Sequence, residues 1–491
     1  MSTTAATGFC RVTVVAPDSR IDVALPEDIA VADVYPEILR LTGQTQTAGT
    51  PTGYHLVRRD GSVLDGARTL AAQQVLDGEV LSLRPFAQSL PPAVFDDVSD
   101  AVASAVTRDR HLWSDDLLRG AGLVGGVLLL VLMGFVLWFA DPVRHDMHSL
   151  PGVVAGAAGV LLTAFAGVRA RVYGDRATAV ALGLGALPLL LIAGSGIVGP
   201  DAGHGPGQLQ FLLGCVTVLV ASVTLVALTP SGDAPFVAAT FLAAVGTLAT
   251  FLAILSESSA TETAAVCAPV AVGLVAFLPG LSARFARLPI GYASPRSATD
   301  DEFHADPNQT PDEAQPVDGE RIALQARRGH EMLLGLVGGC AAVVVGSAAV
   351  LGFAGNVWGQ LLALASGLAM LLRARLFRYT SQVACVLVAG IAAIALLILG
   401  LSLNPPADLV KDLLIYGDRG GLDIRTIWLT AAVAAGAALV TAIGLIIPRK
   451  GLSPFWGRLL DLTEGFVLLS LVPLCLAVLD VFMAARSLTS K

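Results

Sequence analysis

Two histidines, His145 and His148, have the spacing that comes closest to a metal site in this sequence. They lie three residues apart, with Asp141 and Asp146 beside them. Imidazole and carboxylate groups are common ligands of zinc and related ions. Two solvated histidines in a short connection are nevertheless far more typical of a polar loop. We therefore predict no bound metal here, and nothing in the sequence indicates another cofactor.

Neither the cysteines nor the known catalytic motifs indicate a reactive site elsewhere in the sequence. No C-x-x-C spacing occurs, and five of the six cysteines lie in apolar runs, which is typical of small hydrophobic side chains. The sequence also lacks a Walker A motif, G-x-S-x-G and H-E-x-x-H. We predict that the protein is not an enzyme. The cysteines are Cys10, Cys215, Cys267, Cys340, Cys385 and Cys475.

The composition indicates a membrane protein. Hydrophobic residues make up 54% of the 491 residues and charged residues only 14%, against roughly 25% charged residues in soluble domains. The first 120 residues are ordinary in charge, so the remainder must be very apolar. Acidic residues cluster in soluble stretches such as 300–320, so the net charge of −8 gives no indication of nucleic-acid binding.

The first 90 residues read as a small α+β domain. Apolar residues alternate over 10–14 and 21–25, as in β-strands, and then recur at helical spacing over 31–41. Further strands are predicted at 54–59 and 79–83, with a short one at 62–64. The order ββαβ(β)β predicts a ubiquitin-like (β-grasp) fold.

This domain is expected to bind a partner and not to be conjugated to one. It contains no Lys and ends in Arg84-Pro85-Phe86 where a conjugated protein would carry Gly-Gly. Ubiquitin-like folds often make contacts through the strand that here carries Tyr54, Leu56 and Arg58. Those three residues are the candidate partner-binding residues, by fold analogy.

Residues 91–119 predict an amphipathic linker helix. Its apolar stripe includes Val94, Phe95, Val98 and Val102, and its polar face is acidic. An acidic face disfavours adsorption to anionic lipid. We expect this helix to pack on protein near the membrane.

Eleven apolar stretches of about the length that crosses a bilayer follow the linker. A polar, acidic loop over 281–331 reads as disordered at its centre and as helical from Gly319 to Glu331. It divides the stretches into six over 120–280 and five over 332–491. The stretches are 120–140, 150–168, 177–198, 209–229, 234–254, 260–280, 332–354, 357–373, 379–401, 426–447 and 463–485.

The distribution of basic residues predicts the orientation. With a cytoplasmic N-terminus, 15 Arg and Lys residues between Arg169 and Arg458 fall in inside loops. Only six fall outside: Arg144, Lys411, Arg419, Arg425, Arg486 and Lys491. The positive-inside rule therefore places the first domain in the cytoplasm and the C-terminus outside the plasma membrane.

The interiors of the stretches carry almost no ionisable groups. Asp480 is the clearest exception, and Glu262 and Glu464 lie near ends. Ion-coupled carriers need ionisable side chains at mid-membrane to bind the ion. Pro188, Pro269 and Pro473 are expected to kink their helices. Gly335-x-x-x-Gly339 permits close helix contact, although such spacing is frequent by chance in a Gly-rich chain.

The whole layout resembles the EccD family, membrane core subunits of actinobacterial type VII (ESX) secretion systems. DGEVLSLRP closes the β-grasp domain, LQARRGHEMLLGLVGG leads into the seventh stretch, and SPFWGRLLDLTE precedes the last. The resemblance implies dimers enclosing a wide, lipid-filled space. It also implies cytoplasmic domains that bind the EccC ATPase and neighbouring EccB subunits, with EccE as a further candidate. No individual residue carries over.

Two other functions compete with a secretion scaffold. A small-molecule permease with a cytoplasmic regulatory domain would need a ligand pocket at mid-membrane. An integral membrane enzyme would need a cluster of polar catalytic groups at one membrane face, and only the Arg-rich loops approach that. We rank the scaffold first and the permease second.

Overall fold

The computed structural model divides into two compact units, residues 1–113 and 114–491. Residues 91–113, most of the predicted linker helix, and the centre of the 281–331 loop lie outside the described residues. The structure describes residues 8–17, 19–43, 53–85, 114–140, 145–200, 205–229, 234–286, 319–450, 453–483 and 486.

The N-terminal unit is a four-stranded sheet packed on one helix, as predicted. Strand order is β2-β1-β4-β3, with β1 and β4 parallel and the other pairs antiparallel. The predicted strand over 62–64 is reduced to a single bridge between Val57 and Val63. The elements are β1 (Phe9–Val15), β2 (Arg20–Pro26), α1 (Val31–Leu41), β3 (Tyr54–Val57) and β4 (Glu79–Pro85).

The alternating residues of the strands build the core of this unit. Val12 and Val14 of β1 and Leu81 of β4 point inward and are almost fully buried. Ile38 of α1 closes the core from the other side, also with no exposed surface. Burying such a side chain stabilises a fold by roughly 1.5–3 kcal/mol, so the sheet and the helix depend on each other.

Every regular element described in the second unit is a helix. Its helices are α2 (Asp115–Ala140), α3 (Leu150–Arg171), α4 (Arg176–Ser195), α5 (Gln208–Leu228), α6 (Ala234–Ser256), α7 (Ala260–Leu274), α8 (Leu278–Phe285), α9 (Gly319–Phe353), α10 (Val357–Arg373), α11 (Thr380–Leu403), α12 (Ala407–Tyr416), α13 (Gly420–Lys450) and α14 (Pro454–Val478).

Ten of the described helical segments are long and apolar enough to cross a membrane, and the bent pair α7–α8 makes eleven. Each of the eleven predicted stretches coincides with one of them. α9 begins at Gly319, so the predicted helical end of the long loop is the polar start of this helix. The last helix ends at Val478, which places Asp480 beyond it, in a left-handed backbone conformation (φ 53°).

The sharp bend in the sixth span is not at the proline we expected. α7 continues through Pro269, and the chain turns by 68° between Leu274 and Leu278. Pro279 lies just after the turn and has no N–H to donate to the carbonyl of Val275, where its ring would also clash. The break therefore falls one turn before Pro279. α4 and α14 likewise continue through Pro188 and Pro473.

Small residues let the helices approach closely. Carbon added at Gly335 or Gly339 of α9 would lie 2.6 Å from Val237 or Phe241 of α6, so the predicted Gly-x-x-x-Gly contact is real. One buried cluster joins α7, α9, α10, α11 and α14, and two smaller clusters join α2 to α6.

Helix α13 stands apart from this packing. None of its side chains described over 420–446 is buried. The guanidinium of Arg425 ties its first turns to the carbonyls of Leu401 and Asn404 at the end of α11. Beyond these first turns, an apolar helix whose described side chains are not buried presents its surface to lipid or to another polypeptide.

The closest backbone approach between α9 and α11 gives the first prediction. A Cβ at Gly400 would meet the Gly352 carbonyl and lie 2.9 Å from the Phe353 amide nitrogen. Because backbone cannot swing aside, we expect Gly400→Ala to force the helices apart and lower the free energy of unfolding by about 1–3 kcal/mol. Thermal unfolding of the purified full chain in mild detergent measures this.

Gly346→Ala, on α9, is the matched control. A Cβ there would meet no atom within 4 Å, and alanine favours helix over glycine by about 1 kcal/mol. It should leave the unfolding temperature unchanged or raise it. Equal destabilisation by both substitutions would contradict the proposed backbone contact.

Candidate functional site

Strand β3 places the three predicted partner-binding residues in different environments. Tyr54 is half-buried beside the core of the N-terminal unit. Leu56 has no exposed surface and lies inside that core. It therefore supports the strand from within and offers no contact surface, which corrects our expectation for this residue. Period-two alternation put Tyr54 and Leu56 on one face, and that face is the inner one.

Arg58 is partly accessible and holds a loop against the sheet. Its guanidinium donates a hydrogen bond to the Gln73 carbonyl, and its Nε lies 3.5 Å from Glu79 Oε1. The Arg58 side chain keeps 23% of its surface exposed. Tyr54 of β3 and Arg58 just after it thus remain partly exposed, and aromatic and guanidinium side chains are the types enriched at binding hot spots.

The outer edge of β3 is closed to strand addition. The Leu56 N–H donates to the phenol oxygen of Tyr35 at 3.0 Å, and the Leu56 carbonyl accepts from the Leu64 N–H at 2.8 Å. The Arg58 N–H donates to the Ser62 carbonyl. Burial raises the pKa of the Tyr35 phenol, which stays a neutral donor and acceptor. A partner must therefore recognise side chains here and not the backbone edge.

The two histidines of the candidate metal site have separate partners. His145 Nε2 lies 2.7 Å from Ser195 Oγ, inside the bundle, and its ring packs edge-on against Trp138. His148 Nδ1 lies 3.1 Å from Asp146 Oδ1 at the surface. Hydrogen bonds from His148 lower the pKa of Asp146. Among the described residues no cluster of three or more His, Cys, Asp or Glu side chains could hold a metal.

The Arg-rich ends of the helices form ion pairs that join distant segments. Asp175, which caps α4, accepts hydrogen bonds from Arg119 of α2 at 2.6 Å and from Arg169 of α3 at 2.7 Å. Hydrogen bonding by Thr178 and the two guanidinium groups lower the pKa of Asp175. One carboxylate therefore fixes the ends of three helices relative to each other.

Two further pairs extend this arrangement across the bundle. Arg176 at the start of α4 lies 3.0 Å from Glu331 of α9, and so connects the two sets of spans. Arg375, after α10, lies 3.0 Å from both Asp461 and Glu464 of α14. Sequence reasoning treated the basic residues only as topology signals. The few acidic residues near these basic residues were the only signal in the sequence that ion pairs could form.

Arg373 is the least satisfied cation in the described part of the chain. It is 7% exposed at the end of α10, and its Nε and Nη1 have no hydrogen-bond partner. Glu464 lies close enough to interact with it electrostatically but is already paired with Arg375. The Arg373 guanidinium is thus neutralised only at a distance and lacks a direct ion pair among the described residues.

The described spans carry few ionisable side chains. Within the described helices, Glu262 lies in the first turn of α7, and Glu464 lies within three turns of the start of α14. Glu464 is thus nearer the centre of the 25-residue helix α14 than its end, and it is paired with Arg375. A cavity of about 310 Å³ between α6 and α7 is lined mainly by apolar side chains.

These features define a multi-pass plasma-membrane protein with a fused ubiquitin-like domain. Family models of an EccD-like transmembrane domain and of YukD, a protein of the WXG100 protein secretion system, match residues 118–488 and 9–83. The chain belongs to the EccD family, whose members are components of type VII (ESX) secretion.

Relatives match along nearly the whole chain. The ESX-4 secretion system protein eccD4 of Mycobacterium tuberculosis H37Rv is 27% identical over 501 aligned residues, covering 98% of each chain. Protomer 1 of the ESX-3 core complex has a TM-score of 0.58 at 18% identity, covering 97% of this chain and all of that one. The MycP5-free ESX-5 inner membrane complex (State II) gives 0.52 at 22% identity, covering 88% of this chain and 99% of that one.

The Asp175 cluster gives the second prediction. Asp175→Asn keeps a helix-capping side chain but removes the charge, so we expect a loss of about 1 kcal/mol from two partly exposed ion pairs. Asp175→Ala should cost roughly 1 kcal/mol more through the lost cap. Chemical unfolding of the full chain at pH 7 would measure both.

The contribution of Asp175 to the free energy of unfolding should depend on pH in a defined direction. A carboxyl whose pKa is lowered on folding stabilises the fold above its ordinary pKa, near 3.8 here, and loses that contribution as the pH falls through the folded value. The wild type and Asp175→Asn should therefore converge in stability only when the pH falls below the pKa of Asp175 in the folded protein. A constant difference down to the most acidic pH would exclude the charge as its origin.

Proposed function

We propose that this chain is a non-enzymatic scaffold in the membrane channel of a type VII protein secretion machine. The observation that carries the proposal is full-length similarity to ESX proteins, combined with spans whose interiors hold few charged side chains in the described residues. Lipid-facing helices of this kind can build a wall or a frame. They cannot bind and release an ion in a transport cycle of their own.

The proposed orientation is a cytoplasmic N-terminal unit and an external C-terminus. Arg169 and Arg171 end α3, Arg176 begins α4, Arg284 ends α8, and Arg375 follows α10. All of these helix ends lie on one side of an up-and-down bundle. The positive-inside rule places that side in the cytoplasm.

The energy source is proposed to be an EccC-type ATPase docked through the N-terminal unit. The chain has no nucleotide-binding motif of its own. Tyr54 and Arg58 supply an accessible aromatic and cationic surface for a protein partner. EccB, and EccE where one is present, are the further proposed neighbours, together with membrane lipids.

Helix α13 supports a proposed dimer within a larger assembly. Its described side chains over 420–446 are unburied in a single chain, and its centre, Ala431–Ala438, is composed almost entirely of Ala and Gly. Small residues let the backbones of two helices approach closely in lipid. A second copy or another subunit would complete the packing that this chain leaves open.

The third prediction tests the docking surface. Arg58→Gln in the full chain should reduce recovery of the ATPase in affinity purification about fivefold, the change expected for roughly 1 kcal/mol. Tyr54→Ser should act in the same direction. A thermal melt of each variant verifies that the unit remains folded.

Arg40→Gln on α1 is the matched control. It removes an equal charge from a side chain that is 70% exposed and paired only with Glu37 in the same helix. It should leave ATPase recovery unchanged. Equal loss in both variants, or full recovery with Arg58→Gln, would show that the partner binds elsewhere.

The fourth prediction separates the scaffold from the permease. Vesicles containing the purified chain alone should show no saturable uptake of amino acids, sugars or cationic dyes, and no solute-dependent proton flux. Protein-free vesicles provide the baseline. Saturable uptake that depends on the chain would replace the scaffold with a carrier.

A further inference from the structure

The α6–α7 groove is an apolar opening between two consecutive helices. Only Glu257, Ser258 and Ser259 separate α6 from α7, yet the helices diverge from this turn. Between them lies a cavity of about 310 Å³. Leu248 and Leu252 line one wall, and Val266 and Val270 the other.

The floor of the groove is formed by α6 and α9. Phe241 and Val245 of α6 and Val343 of α9 lie below the exposed walls. Leu248, Leu252 and Val270 are each more than half exposed, so the groove opens sideways at membrane depth. All of the residues that line the groove belong to one chain.

The mouth of the groove is polar and acidic. Glu262 and Thr263 line it from α7, and Ser256 and Ser258 from the turn. The Glu262 carboxylate accepts a hydrogen bond from the Ser259 N–H at 2.7 Å, which fixes its position. No Lys or Arg occurs between Arg176 and Arg284, so neither α6 nor α7 carries a basic side chain that could neutralise this mouth.

The volume of the groove selects its occupant. Water is unstable in an apolar cavity. A hydrocarbon chain, whose methylene groups are each about the size of a water molecule (roughly 30 Å³), places about ten groups in this volume.

We propose that the α6–α7 groove binds one acyl chain of a phospholipid with an ammonium head group, held at its mouth by Glu262. The chain replaces the dispersion contacts that the open walls lack. The carboxylate attracts the ammonium group and disfavours head groups of net negative charge. Phosphatidylethanolamine has this chemistry.

Photocrosslinking tests the site in the full chain. The protein is reconstituted in vesicles of phosphatidylethanolamine and phosphatidylglycerol that contain phosphatidylethanolamine with a diazirine on its acyl chain. After illumination, mass spectrometry should find adducts concentrated on α6 and α7 peptides, including the one with Cys267, which lines the groove. Adducts spread evenly over all lipid-facing helices would overturn the proposal.

Groove-filling variants make the test specific. Ala249→Phe on α6 and Val270→Trp on α7 fill the groove from opposite walls, and each should lower adduct yield at least fivefold. Leu255→Phe enlarges an exposed side chain of α6 outside the lining and should leave the yield unchanged. Unchanged adducts in both filling variants would refute chain binding.

A second pair of measurements tests the head group. A diazirine analogue of phosphatidylglycerol should label the groove at least threefold less than the ethanolamine lipid. Glu262→Gln keeps the capping geometry and should abolish that preference. Equal labelling by both lipids in the wild type would overturn the role of Glu262. A Cys267 disulfide between two copies would identify a second chain as the occupant and overturn the lipid.

Discussion

Exclusion of charge from the interior of the bilayer is the constraint on which the membrane unit depends. Every backbone polar group must be satisfied within helices, and charged side chains are displaced to the helix ends. The ends then concentrate opposite charges, so that Asp175 pairs with two guanidinium groups and Glu331 with a third. The apolar interiors of the helices interact only through van der Waals contact. Close packing at glycines, such as Gly352 against Gly400, makes the pairing of helices specific there without polar groups.

The sequence predicted the helices well because their signal is long and one-dimensional. Eleven apolar stretches correspond to ten helices and one bent pair, with shifts at their ends. The α13 side chains that lack partners were not predictable, because hydropathy measures exposure to water and cannot distinguish lipid from protein. The bend was assigned to Pro269, whereas Pro279 disturbs the turn before it. Position within the helix decides where a proline acts.

Pairwise contacts were beyond sequence reasoning for a physical reason. The partners of Asp175 are separated from it by as many as 56 residues, and only the helix arrangement brings them together. In the N-terminal unit, the alternation of residues placed Tyr54 and Leu56 on one face of the strand. It did not identify that face as the inner one. A strand of four residues carries too little pattern to distinguish a core face from a contact face.

The closed edge of β3 has a consequence for crowding. Sheet edges with unpaired backbone N–H and C=O groups can pair with one another when copies of a protein are held side by side. Tyr35 and the Ser62–Leu64 segment occupy those groups on β3, while Arg20, Asp22 and Pro26 on β2 discourage pairing at the opposite margin. Ubiquitin-like units held side by side can then collide and separate without forming continuous sheets. Solubility in the assembled state is thus already encoded in the isolated fold.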